Sequence, residues 1–140
     1  MAQQIPLQIA IDSDADLEAK LCQRALKVVE VFSEWCGSCK SVLPTLKRIR
    51  LDKDDETTLQ FLTVCAEATD IVAEAKSHRG KSEPLFLFYR NGVLKHRVEG
   101  ANTPAIAGAV SKLTPTVADA DELENNPFHM AQMKAKAQHK

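Results

Sequence analysis

The chain has 140 residues, 44% of them apolar and 26% charged, the length of about one domain and too apolar for a disordered chain. Eighteen Lys and Arg against nineteen Asp and Glu leave a formal charge of −1, so the composition carries no electrostatic sign of a nucleic-acid partner. Charged residues interrupt every apolar run before the roughly 18 positions a membrane helix needs, and the N-terminus lacks the basic and apolar regions of a secretory signal, so the cytoplasm and no membrane partner are expected.

Residues 5–11 alternate and predict a first strand, ended by Asp12-Ser13-Asp14. One of those three caps a helix running to about Leu26, with Leu17, Leu21 and Ala25 on its inner stripe. Residues 27–32 are rich in β-branched side chains and predict a strand buried on both faces. Residues 35–39 read as the turn into a second helix ending near Arg50, with Pro44 inside it and expected to kink it. A charged loop over 51–56, a strand over 59–66 and a helix over 70–78 follow, and Arg79 to Glu83 form a polar approach to Pro84. Residues 85–89 and 93–99 read as a hairpin across Arg90-Asn91-Gly92, since Asn-Gly suits positive φ. Gly100 ends the second of these strands, and Thr103-Pro104 opens a helix reaching about Leu113.

Strands alternating with helices and then a hairpin imply an α/β sandwich with a mixed central sheet. After Pro115 the composition changes: Asp119, Asp121, Glu122 and Glu124 form an acidic block, Asn125-Asn126-Pro127 breaks the chain, and Lys134, Lys136 and Lys140 follow. The organisation expected is a domain over 1–114 and a mobile or docking tail over 115–140.

The chemistry is concentrated in Trp35-Cys36-Gly37-Ser38-Cys39-Lys40. Four cysteines without a signal sequence point to a reducing compartment, where close cysteines are catalytic or metal-binding. Two cysteines three apart at a helix start bring their sulfurs within disulfide reach, and the dipole end and unpaired N–H groups there stabilise a thiolate at Cys36. Cys39, one turn further in, suits the resolving role, attacking a mixed disulfide on Cys36. The same pair also fits half of a zinc site, a structural disulfide or an inert pair. For zinc the second close pair is missing, because Cys22 and Cys65 stand alone with no His at ligand spacing, so no metal is expected. Cys22 and Cys65 read as small buried apolar side chains. Glu30 interrupts the run Val28-Val29-x-Val31-Phe32, and an unpaired carboxylate buried there has a raised pKa; the alternative is a side chain reaching the sheet edge to meet solvent or Lys.

From about Ile5 to Leu113 the chain resembles the thioredoxin family. The matching residues are Trp35-Cys36-Gly37-x-Cys39-Lys40, Pro44 five positions on, Pro84 before a strand, Asn91-Gly92 in the hairpin and Gly100 after it. The resemblance implies a thioredoxin fold, a mixed five-stranded sheet flanked by four helices with a C-terminal extension. It also implies a cis Pro84 beside the two sulfurs. Catalysis falls to Cys36 and Cys39, with Glu30 relaying a proton to or from Cys39, and substrate contact to Trp35, Gly37, Ser38, Glu83, Pro84 and Gly100. The cofactor expected is none beyond a redox-active Cys36–Cys39 disulfide. Three residues depart from the family pattern: Ser38 replaces the usual Pro, Thr63 stands where a Lys is frequent near Glu30, and Glu83 precedes Pro84 where an apolar residue is usual.

A narrower resemblance runs through residues 79–89 and Glu99-Gly100-Ala101-Asn102-Thr103-Pro104. These segments look like the thioredoxin-domain proteins of cilia, among them the light chains of outer-arm axonemal dynein. What that implies is a redox-active light chain in the axoneme of a cilium or flagellum, with a dynein heavy chain, neighbouring outer-arm subunits and protein thiols or disulfides as partners. A free cytosolic general disulfide reductase and a scaffold with a vestigial dithiol are the alternatives.

Overall fold

A computed structural model describes residues 7–23, 25–34, 39–53, 58–114 and 126–138. Five strands form one mixed sheet: β1 (Gln8–Ala10), β2 (Leu26–Phe32), β3 (Leu59–Cys65), β4 (Leu85–Arg90) and β5 (Val93–Glu99), in the order β1-β3-β2-β4-β5. β3 runs parallel to β1 and β2, whereas β4 is antiparallel to β2 and to β5. The helices are α1 (Asp14–Leu21), α2 (Leu43–Asp52), α3 (Ala73–Ser77), α4 (Thr103–Leu113) and α5 (Pro127–Gln138), with a 3₁₀ turn at Ala66–Ala68.

Side chains alternate across β2 and so divide the core in two. Val29 and Val31 join Leu62, Val64, Leu17, Leu21 and Ala75 on the α1/α3 side. Leu26 and Val28 join Phe61, Phe86, Phe88, Leu46 and Ile106 on the α2/α4 side. Phe61, Phe86 and Phe88 are buried in the sheet core, each contributing about 1.5–3 kcal/mol by burial. By the same alternation Glu30 faces the α2/α4 layer.

Several boundaries differ from the sequence reading. β1 begins three residues later than expected and α3 is shorter at both ends. α1 stops at Leu21 instead of running to Leu26, because the chain must reverse to enter β2. Ala25 takes φ +103°, its N–H donates to Asn91 Oδ1 at 2.9 Å, and its carbonyl accepts from Asn91 N–H at 3.1 Å. α2 begins at Leu43, which places Pro44 in its first turn; Pro44 therefore starts the helix and does not kink it. A helix begun at residue 39 would ask Pro44 for an N–H to Lys40's carbonyl; that carbonyl instead accepts a turn bond from Leu43 N–H at 3.2 Å. β5 and α4 lie where the sequence places them, α4 being capped by Asn102, whose Oδ1 accepts from Ala105 N–H at 3.2 Å.

The acidic block over 119–124 and most of the joining segment lie outside the described residues. The later part of the tail is the helix α5, and its first residues pack on the domain. Asn126 is 0% exposed and donates from Nδ2 to Leu21's carbonyl at 2.8 Å. Its Oδ1 accepts from Phe128 and His129 N–H at 2.9 and 3.1 Å, capping α5, and Phe128 packs against the α1/α3 side of the core.

Candidate active site

The last residues of β2 and the first of β4 share one end of the sheet. Val31 pairs with Leu85, so Pro84 enters β4 beside the point where β2 hands the chain to residues 33–39. Trp35, Cys36, Gly37 and Ser38 lie outside the described residues, and their assigned roles rest on the sequence. Cys39, Glu30, Glu83, Pro84 and Gly100 are described.

Glu30 is 0% exposed, so of the two sequence readings the structure has the buried carboxylate and not the one reaching solvent or a Lys. Its Oε2 accepts Cys39's backbone N–H at 2.6 Å, and its Oε1 accepts Gln8 Nε2–H at 2.9 Å. Burial raises its pKa, and the bonds from Cys39 and Gln8 pull against that rise without cancelling it. Thr63 is its register neighbour on β3 and Phe86 on β4, so neither flanking strand brings a charge to it. Glu30 thus meets Cys39 through the backbone. The Cys39 thiol, half-buried and free, lies 3.0 Å from Ser41 Oγ.

Gln8 and Ser41 were missed by the sequence reading. Gln8 sits in a half-exposed edge strand, where a polar side chain is unremarked, and its reach to Glu30 depends on β1 pairing with β3 and β3 with β2. Ser41 could have been found as the hydroxyl nearest in sequence to Cys39.

Around Pro84 one expectation is corrected: no cis peptide bond occurs among the described residues, so the Glu83–Pro84 bond is trans. The trans form is the lower-energy isomer by about 0.5–1 kcal/mol and is compatible with the contacts that seat this segment. Gly100 N–H donates to Pro84's carbonyl at 2.7 Å, and the buried His78 ring bonds Glu83's carbonyl through Nε2. Gly100 has φ +81°, and a Cβ there would lie 3.1 Å from Glu83 Oε2. Glu83, Pro84 and Gly100 therefore form one small assembly, with the exposed Glu83 carboxylate laid over the glycine.

Cys22 and Cys65 stand apart from this site. Cys22 is buried at the end of α1, and burial, then Glu18, pushes its thiol up. Cys65 is half-buried, less covered than expected, and donates to Glu67 Oε2 at 3.5 Å; burial pushes it up as well.

The arrangement offers a thiol next to a backbone amide that is held by a buried carboxylate, at the mouth of a sheet where extended chain enters and leaves. Comparison with known proteins agrees with this architecture. The chain is 65% identical over 129 residues to the 16 kDa light chain of the flagellar outer-arm dynein of Chlamydomonas reinhardtii, covering 92% of this chain and 83% of that protein. It is 34% identical over 107 residues to the 14 kDa light chain of the same arm, covering 76% and 80%. Thioredoxin from Plasmodium falciparum superimposes with a TM-score of 0.58 at 27% identity, covering 74% of this chain and 97% of that one. The family model described as Thioredoxin matches residues 8–112, three-quarters of the sequence, and the chain belongs to the thioredoxin family.

Proposed function

We propose that this protein is a thioredoxin-type light chain of a flagellar outer dynein arm, resident in the axoneme, that exchanges disulfides with protein partners through Cys36 and Cys39. The 65% identity to the 16 kDa outer-arm light chain supports the assembly half, with a heavy chain and neighbouring subunits as partners. The chemical half is carried by one observation, the fully buried Glu30 carboxylate holding the N–H of Cys39 at 2.6 Å.

In this reading the Cys36 thiolate attacks a partner disulfide, forming a mixed disulfide and expelling one partner thiolate, which takes up a proton. Cys39 then gives its proton toward Glu30, attacks the Cys36 sulfur and expels the second thiolate. The products are a reduced partner and an oxidised Cys36–Cys39 pair, two electrons having moved, and a dithiol donor must restore the reduced pair. Trp35, Gly37 and Ser38 shape the loop presenting Cys36, while Pro84 and Gly100 offer backbone to an extended partner and Glu83 disfavours acidic ones. No cofactor beyond the dithiol enters this scheme.

The test is a Cys39→Ser chain, which cannot resolve mixed disulfides on Cys36, incubated with isolated axonemes and with soluble cell extract. Capture of outer-arm subunits is the expected result. Capture confined to many soluble proteins would favour a diffusing reductase, and a dithiol that captures nothing would leave a scaffold role.

A further inference from the structure

Glu30 grips Cys39 by its main chain: Oε2 takes the amide N–H at 2.6 Å, and Oε1 is occupied by Gln8. The sulfur has a different partner, the hydroxyl of Ser41, at 3.0 Å. The cysteine spacing places Cys39 in the first turn of a helix, where free N–H groups would serve a thiolate, but α2 begins at Leu43 with Pro44 in its first turn. Cys39 thus lies ahead of the helix. The turn closed by Leu43 N–H on Lys40's carbonyl at 3.2 Å sets Ser41 beside it. Near a helix start a serine ordinarily spends its oxygen on a first-turn N–H. Here Val42 is the N-cap, no side chain caps α2, and among the described residues the Ser41 hydroxyl bonds only the sulfur.

The ionisation state of Cys39 fixes the direction of that bond. In the thiol either atom can donate; once the proton has left, sulfur can only accept and Ser41 must donate. A hydrogen bond made to the charged form favours that form. The other described thiols are placed differently. Cys65 gives its own proton to the Glu67 carboxylate, which opposes ionisation, and Cys22 is buried with Glu18 as its charged neighbour. Cys39 joins the α2/α4 side of the core. Among the described residues there, Glu30 reaches it from β2, exposed Lys40 adjoins it in the chain, and the first turns of α2 and α4 carry no charge.

We propose that Ser41 serves the resolving step, its hydroxyl donating to the Cys39 sulfur as that sulfur becomes the attacking thiolate. The inference rests on the dithiol-exchange reading and adds a residue to it. The proton of the Cys39 thiol goes toward Glu30, the sulfur's electron pair forms the bond to Cys36 Sγ, and the bond from Cys36 to the partner breaks. The expelled partner thiolate takes up a proton from water, and Ser41 keeps its own throughout. A donor to a thiolate has two effects of opposite sign: it raises the ionised fraction where the thiol is still protonated, and it lowers the nucleophilicity of the anion once formed. With the thiolate favoured about tenfold, nucleophilicity falls about threefold, so the net gain is about threefold near neutral pH and becomes a loss of about threefold in alkali. Ser41 is exposed, so water competes for the same sulfur and keeps the effect modest.

The test follows, by stopped flow, the chromophoric thiolate released from a substoichiometric aromatic disulfide. Attack by Cys36 releases the first equivalent and attack by Cys39 the second, and Cys39→Ser identifies the second phase by abolishing it. Ser41→Ala should slow the second phase, measured relative to the first, about threefold near neutral pH and speed it about threefold in alkali, where ordinary thiols are ionised. Ser41→Thr, which keeps the hydroxyl, should restore both limbs. A second phase unmoved by Ser41→Ala, a slowing of the same size at every pH, or a Ser41→Thr chain that behaves like Ser41→Ala would each overturn the role of Ser41 and leave dithiol exchange standing. A wild-type chain that releases only one equivalent would overturn dithiol exchange itself, and the role of Ser41 with it.

Discussion

Glu30 is held between opposing influences, and each can be removed alone. Burial favours its protonated form, while Gln8 and the Cys39 amide donate to its two oxygens and favour the anion. Gln8→Leu takes away one donor without adding charge, so a carbon-13 NMR titration of the Glu30 carboxyl should show its midpoint moving further up; an unmoved midpoint would mean that the Gln8 contact is not made in solution. Glu30→Gln removes the titrating group and should slow reduction of a model disulfide near neutral pH by on the order of 100-fold, within the range of a positioned acid–base residue. The same substitution has a stability signature of definite sign. The folded chain holds this proton to higher pH than the unfolded one, so the stability it confers is complete below the unfolded value and is lost as pH rises through the folded value. The Gln variant lacks that slope, and its Tm relative to wild type should climb from pH 4 to pH 8. On the proposed dithiol exchange, Ser38, with a backbone N–H and a hydroxyl where the family has Pro, should hold the couple less reducing than the roughly −270 mV of thioredoxin. A glutathione titration of Ser38→Pro should then return a more negative midpoint. The burial of Glu30 was legible because a carboxylate interrupts an apolar strand run, whereas the trans bond before Pro84 was not. Gln8 was not, since its partner lies 22 positions away and two strands over.

At the scale of elements, the sequence placed the hairpin and α4 well and the helix ends poorly. A hairpin declares itself through a turn dipeptide, and α4 through Asn102 and Pro104, whereas the end of α1 depends on Asn91, 66 residues from the Ala25 it holds. The place of Pro44 in the first turn of α2 is hidden from the sequence for a related reason. A proline five residues past Cys39 fits either the interior of a helix begun at the cysteines or the first turn of one begun later, and only the carbonyl of Lys40, taken by Leu43, decides between them. Pro44→Ala distinguishes the two energetically. In a helix interior, removing the proline would recover about 3 kcal/mol, but in the first turn the change should stay within about 1 kcal/mol in denaturant unfolding. Asn102→Ala should cost about 1 kcal/mol by the same measurement, the usual loss of an N-cap whose oxygen serves a helix N–H.

For the molecule as a whole, the deciding question is whether the last helix is part of the fold. The composition change after Pro115 suggested a mobile or docking tail, but Asn126 and Phe128 attach α5 to the domain, and no apolar periodicity in α5 reveals them. Asn126 closes three contacts at once: the carbonyl that ends α1, the first N–H groups of α5, and the hairpin turn, where a Cβ on Gly92 would fall 2.2 Å from Asn126 Oδ1. Asn126→Ala strips the cap from α5 and leaves Leu21's carbonyl buried without its partner, so it should cost about 2 kcal/mol and lower Tm by several degrees. Phe128→Ala should cost less, since Phe128 is only partly buried. If Asn126 pins the helix, the two losses are not independent. Once α5 is released, Phe128 has no contact left to lose, and the double variant should fall short of the summed single effects, approaching a chain ended after residue 125. A shortened chain as stable as the full one would instead show that α5 contributes nothing to the fold.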